Sequence, residues 1–152
     1  MPKIDIDAVE ARSGSSYPEP FREACLLQSW RKLGDAAGLT DFGVNLTRLA
    51  PGGWSSQRHW HTHEDEFVWI VEGEVVLVED EGETVLRAGD CAAWKAGVPN
   101  GHHLQNRSAR DAVYLEVGSR KPDNDDCDYP DIDMVTGPEG YHHRDGTPYP
   151  RA

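Results

Sequence analysis

From Phe42 onward the chain alternates with period two: Phe42, Val44 and Leu46 fall on one face of an extended strand, and Gly43, Asn45 and Thr47 on the other. The turn sequence Ala50-Pro51-Gly52-Gly53 ends that run. Six more short strand-like runs follow, at residues 67–71, 74–79, 84–87, 91–95, 102–106 and 112–117. Between them stand Glu72-Gly73, Asp80-Glu81-Gly82, Ala88-Gly89-Asp90 and Pro99-Asn100-Gly101. Gly, Pro, Asn and Asp supply the backbone angles that reverse a chain within a few residues. Short strands joined by tight turns, with hardly any helical periodicity, predict an all-β antiparallel sandwich or barrel. No internal repeat is visible.

At 152 residues and 16.9 kDa, the chain suffices for one domain that buries roughly two-thirds of its unfolded surface, and not for two ordinary ones. Its mean hydropathy is -0.66 and its apolar runs are too short to span a bilayer. With 27 acidic against 15 basic residues, the net charge of -12 repels phosphate backbones and anionic headgroups. Neither nucleic acid nor a membrane is therefore an expected partner. The first residues carry no secretory or organellar pattern, which points to the cytoplasm. Cys25, Cys91 and Cys127 are odd in number and far apart, fitting reduced packing thiols rather than disulfides or a zinc clip.

The flanks are less regular. Leu26, Trp30 and Leu33 suit one face of a short helix, but a strand fits nearly as well. After Gly118 the chain turns acidic, with Asp123, Asp125, Asp126, Asp128, Asp131 and Asp133. A disordered tail is the first reading of such a run. Against it, Tyr129, Ile132, Met134, Tyr141 and Tyr149 are spaced anchors, and they predict a segment lying extended across the barrel or a neighbouring subunit. The aspartates lack the ligand spacing, turn glycine and closing glutamate of an EF-hand.

All seven histidines fall in three clusters: His59, His61 and His63; His102 and His103; His142 and His143. An extended backbone sends His59 and His61 to one side. Glu66 opens the next strand, and if it faces inward so do Val68 and Ile70, setting a carboxylate at the mouth of an apolar interior. Some forty residues on, a strand can return His102, with Leu104 and Asn106 on the same face. Three neutral imidazoles and one carboxylate suit iron, manganese, nickel or zinc, and leave open positions for a substrate, dioxygen or water. His63 faces away from His61 on a straight strand, although its distance from Glu66 also allows a ligand. His103 points outward in this register, and His142 and His143 read as surface groups. Trp60, Trp69 and Trp94 are expected to pack; one lining a pocket would stack on a sugar or aromatic ring.

Gly53, five residues, His59, one residue, His61, four residues, Glu66, six residues and Gly73 match, without a gap, the first motif of the cupin superfamily, which this chain resembles. In the second motif, Gly89 opens and His102, three residues and Asn106 close the pattern. This half departs: Lys95 stands where the family has proline, and four residues rather than two separate Gly97 from the histidine. His103 is therefore an alternative anchor, with the His-x3-Asn spacing favouring His102. The resemblance implies a double-stranded β-helix, a jelly-roll-like antiparallel barrel over residues 42–118, with a metal held by His59, His61, Glu66 and His102. Residues 1–41 then form an N-terminal arm packing on the barrel and residues 119–152 an extended C-terminal arm. The segments around His59 and Glu66, with the closing Arg144-Asp145-Gly146-Thr147-Pro148-Tyr149, are similar to a group of uncharacterised bacterial cupins, some labelled sugar-phosphate isomerases.

Three functions follow as expectations. In an isomerase, the metal holds two oxygens of a small hydroxy-carbonyl compound while a base moves a proton; Glu116 or Tyr114 on the last strand is the candidate base, with only one of the two expected to face inward. A phosphorylated substrate also needs a local cation, for which Arg48 and Lys95 are weak candidates. In a dioxygenase, ferrous iron binds substrate and dioxygen together. A non-catalytic barrel uses the metal only to anchor a small molecule. The length leaves no room for a DNA-binding domain, and small cupins are commonly homodimers, so a homodimer is expected.

Overall fold

The structure is a computed structural model and describes residues 2–151. The alternating runs appear as strands β3 (Phe42–Leu49), β5 (Glu66–Glu72), β6 (Glu74–Glu79), β7 (Gly82–Arg87), β8 (Cys91–Trp94), β9 (His103–Gln105) and β10 (Ala112–Ser119). Before them lie β1 (Ala11–Ser13), β2 (Gln28–Lys32) and the one-turn helix α1 (Leu33–Ala36); β4 (Trp60–His61) precedes β5. The segment that suited helix and strand alike thus contains both, with Trp30 in β2 and Leu33 opening α1.

Every strand pair is antiparallel. One sheet has the order β1-β2-β3-β10-β5-β8, and a second has the order β7-β6-β9. Their inner faces meet in one apolar cluster: Leu49, Val68, Ile70, Ala112 and Tyr114 from the first sheet against Val75, Leu77, Leu86 and Leu104 from the second. Period-two alternation produces this directly, since Val68 and Ile70 are buried while Phe67, Trp69 and Val71 between them are exposed. The architecture is the double-stranded β-helix expected from the sequence.

Two glycine and asparagine positions hold the barrel's turns. Gly73 joins β5 to β6 at φ +74°, and a Cβ there would lie 2.7 Å from the Asp111 carbonyl oxygen. Asn106 is buried, and its amide donates to the carbonyls of Leu49 and Arg110, both at 2.8 Å, while its oxygen accepts from the Ser108 backbone N–H and hydroxyl. One side chain therefore ties the end of β3 to the loop before β10.

The acidic C-terminal segment is more than an extended arm. It forms β11 (Cys127–Tyr129), β12 (Met134–Gly137) and β13 (Gly140–His142), a meander whose first strand pairs with β4. Tyr129, Met134, Tyr141 and Tyr149 pack with Tyr17, Phe21 and Cys25 of the N-terminal segment into a second apolar cluster. Three of the aspartates are ion-paired: Asp128 with Arg144, Asp131 with Arg58, and Asp133 with His143. Pairing plus aromatic burial overcomes the tendency of such a run to stay solvated.

The outer face of the large sheet carries two apolar rows, Leu46-Leu115-Trp69 and Val44-Val117-Phe67, set side by side by the register of β3, β10 and β5. Trp69 is 49% exposed. Among the described residues, no helix is long and apolar enough to cross a membrane.

Asn106→Ala strands two buried carbonyls, so it is expected to lower unfolding free energy by about 2–4 kcal/mol in guanidinium titrations, with an unchanged denaturant slope.

Candidate metal centre

Three chain segments bring the candidate ligands together. His59 and His102 are direct cross-strand partners, His59 N–H donating to the His102 carbonyl at 3.2 Å and His102 N–H to the His59 carbonyl at 2.9 Å. Their side chains leave on one side of the pair, and His61, two residues on, joins them. Glu66, first residue of β5, faces inward with Val68 and Ile70. The Nε2 atoms of His59 and His61 lie 3.5 and 3.2 Å from Glu66 Oε1, and His102 Nε2 is hydrogen-bonded to Oε2. Trp94, the cross-strand partner of Glu66, stacks flat on the His102 ring at 3.9 Å between centroids.

The far sides of the same rings settle what they can hold. His59 Nδ1 meets the Gln57 carbonyl at 2.9 Å, His102 Nδ1 the Asn100 carbonyl at 2.9 Å, and His61 Nδ1 the Asp125 carboxylate at 2.6 Å. Carbonyl and carboxylate oxygens only accept, so each Nδ1 carries the proton. In its neutral form each ring then presents its Nε2 lone pair to the Glu66 carboxylate; in its protonated form Nε2 donates to it. Three lone pairs and an anion facing one point need positive charge between them, which protons on the rings or a single divalent metal can supply. The donor set therefore fits iron, manganese, nickel or zinc.

Where protons rather than an ion fill that space, the rings donate to Glu66. Burial alone pushes the Glu66 carboxyl up, but hydrogen bonds from His102, His59 and His61 outweigh it and hold the group well below the usual carboxylate range. Burial lowers His61, yet contacts with Cys127 and Glu66 hold it well above an ordinary imidazole. Cys127 itself is pushed up, chiefly by burial.

A cavity of about 350 Å³ opens above this group. His59, Glu66 and His102 line it; His61 meets the same carboxylate without lining it. Glu116 is in the wall, its carboxyl raised to about 7 by burial and by the Glu66 charge, against a hydrogen bond from Asn45 that lowers it. Asn45, the cross-strand partner of Glu116, has a buried Oδ1 with no protein partner. Tyr114 also faces inward. The expectation that only one of this pair could do so is corrected, because residues two apart on a strand share a face. Depth separates them: Tyr114 is wholly buried in the aliphatic cluster and does not line the cavity.

Of the other histidines and cations that the sequence offered, His103 also lines the cavity and the rest lie outside it. His63 is exposed and bonds Thr62. His103 is buried rather than outward-pointing, because residues 54–57 fold over it: its ring meets Trp54 edge-on at 4.8 Å and its Nδ1 the Ser56 carbonyl. His142 and His143 sit in the C-terminal meander, His143 stacked on Tyr149. Arg48 and Lys95 are held in surface pairs with Asp111 and Asp65, outside the cavity. The cation that lines it is Arg120, ion-paired with Asp35. Sequence reading missed Arg120, Asn45 and Asp125. Alternation along β3 and β10 carried a signal for Asn45, but nothing local marked Asp125, which is 64 residues from His61.

The Cupin domain family model matches residues 45–118. A crystal structure from Silicibacter pomeroyi, described as a sugar phosphate isomerase from a cupin superfamily, is 46% identical over 97% of this chain and 96% of that chain, with a TM-score of 0.91. A structure from Acidithiobacillus ferrooxidans, named provisionally for the same activity, is 24% identical over 86% of this chain and 83% of that one, TM-score 0.74. A polyketide cyclase from Streptomyces resistomycificus is 20% identical over 80% of each chain, TM-score 0.62. These last two are similar in fold alone. No curated protein matches in sequence.

The raised Glu116 carboxyl has a consequence for stability. Folded, it keeps its proton up to about 7; unfolded, it loses it near the ordinary glutamate value of 4.5. Its contribution to folding is complete below the unfolded value and is lost as pH rises toward the folded one. Glu116→Gln is therefore expected to raise the melting temperature of metal-free protein at about pH 8 and leave it unchanged near pH 4.

Proposed function

Because the chain belongs to the cupin superfamily, we propose that it is a metal-dependent enzyme isomerising a small sugar or sugar phosphate, with His59, His61, Glu66 and His102 holding one divalent ion. The observation that carries the reading is the placement of a carboxyl raised to about 7 in the wall of the cavity that the ligands floor. When bound, the metal supplies a Lewis acid that polarises a carbonyl oxygen. The Glu116 carboxylate takes the proton from the carbon beside that carbonyl and returns it to the former carbonyl carbon. The neighbouring hydroxyl becomes the new carbonyl as its proton passes to the former carbonyl oxygen, so no atom is gained or lost. A group that first accepts and then donates works best with a pKa near the working pH.

Asn45 Oδ1, buried and unpartnered, accepts a substrate hydroxyl. Trp94 holds the His102 ring from one side and closes that wall to water. Arg120 at the cavity is the cation for a phosphate, released from Asp35 when the anion enters. The relative from Silicibacter pomeroyi supports the substrate class, since its description names this activity. A barrel that merely anchors a ligand has no use for such a carboxyl beside the ligands, which disfavours the inert reading. The dioxygenase reading draws support from no residue here.

We assign the protein to the cytoplasm, a reading supported by Cys25, Cys91 and Cys127 being free thiols. It works as a homodimer through the outer face of the large sheet. Two copies of net charge -12 approach most readily across an uncharged surface, and the rows Leu46-Leu115-Trp69 and Val44-Val117-Phe67 provide one.

Protein purified without chelator is expected to carry close to one equivalent of iron, manganese, nickel or zinc, and His59→Ala to lose it. With aldose and ketose phosphates in D2O, the wild type is expected to exchange the hydrogen beside the carbonyl, and Glu116→Gln to slow that exchange about 10²–10⁴-fold while keeping its metal. Oxygen consumption by the iron form without such exchange would replace the isomerase by a dioxygenase. Light scattering is expected to return twice 16.9 kDa, with Trp69→Glu shifting the mass to the monomer.

A further inference from the structure

The rings of His59 and His102 are oriented in the same local way: each Nδ1 faces the carbonyl two residues earlier in the chain, Gln57 and Asn100. His61 departs from this pattern. The carbonyl two residues before it belongs to His59 and is engaged by the His102 N–H in the cross-strand pair. An acceptor for His61 Nδ1 has to come from elsewhere, and it comes from the acidic C-terminal segment.

We infer that Asp125 is a positioning residue of the metal centre, holding His61 in the tautomer and orientation that aim its Nε2 lone pair at the ion. The inference rests on the metal-centre reading above. Asp125 Oδ2 lies 2.6 Å from His61 Nδ1, and the side chain is only 9% exposed. The other oxygen, Oδ1, accepts the backbone N–H groups of His63 at 2.9 Å and Glu64 at 3.1 Å. With both oxygens engaged, the carboxylate has one available orientation. The backbone around it is clamped as well: Thr62 N–H donates to the Asp126 carbonyl, Asp126 N–H to the Thr62 hydroxyl, and Cys127 of β11 pairs with His61 of β4. The segment that looked like a solvated acidic run thus reaches the back of a ligand ring. Hydrogen-bonded partners of this kind fix ligand tautomer and raise affinity.

Asp125→Asn discriminates this role from a structural one. An amide has one oxygen, and keeping both backbone N–H groups satisfied turns its NH2 toward His61 Nδ1. The ring must then accept at Nδ1 and carry its proton on Nε2, where no metal can bind. Zinc(II) affinity, measured by competition with a chromophoric chelator, is expected to fall ten- to a hundredfold. Asp125→Ala, which offers no donor, is expected to lose less. In NMR spectra of the zinc-loaded wild type, the His61 Nδ1 proton is expected as a downfield, slowly exchanging signal, absent from the Asn variant. That signal needs no variant, so a poorly folding Asp125→Asn leaves the inference open to refutation: a rapidly exchanging or missing wild-type proton overturns it. So does a folded Asp125→Asn that binds zinc within about twofold of wild type while His59→Ala does not bind. If His59→Ala keeps its zinc, the metal centre itself fails and the role of Asp125 fails with it.

Discussion

Three imidazoles and a carboxylate aimed at one point are an unstable arrangement until a cation joins them, and much of the molecule is organised around holding them there. The cost of turning four polar groups inward is met by partners on their outer sides: the carbonyls of Gln57 and Asn100, the carboxylate of Asp125, and the flat face of Trp94. These partners come from the loop before β4, the loop before β9, the C-terminal segment and β8. Four separate stretches of chain must therefore be in place before the group can exist.

That requirement explains the two apolar clusters. The first, between the two inner sheet faces, sets the strand register that turns Glu66 and Glu116 inward. The second joins the terminal segments, Tyr17 and Cys25 with Tyr129 and Met134, and holds β11 against β4. Without it the acidic run would have only surface ion pairs, each contributing little on its own. Aromatic burial does what charge pairing alone does not.

The cavity divides labour between its two carboxyls by environment. Glu66 is surrounded by imidazole donors and stays ionised; Glu116 is buried beside that negative charge and is pushed toward neutrality. Side chains of the same chemistry are thus suited to different tasks, one to hold a cation and the other to move a proton. Asn45 and the ion pair of Arg120 with Asp35 add polar groups around the rim of the same space. The proposed isomerase chemistry draws on that division.

Much of this was legible before any fold was known. Alternation and turn residues located the strands of the barrel, because period two follows from the backbone geometry of every extended residue. The same rule placed His59 beside His61 and Glu66 with Val68 and Ile70. It also contained the relation between Tyr114 and Glu116, which share a face. Depth, however, is not periodic: whether a residue on that face meets a cavity or an aliphatic core depends on what the opposite sheet puts across from it. The partnership of Asp125 with His61 was illegible for a related reason. β4 is two residues long, too short for a pattern, and its partner β11 comes from the far end of the chain. Local bond geometry therefore determined the strands and the candidate ligands, while the accounting of buried hydrogen bonds between distant segments, which exists only once the chain has folded, decided how those ligands are oriented.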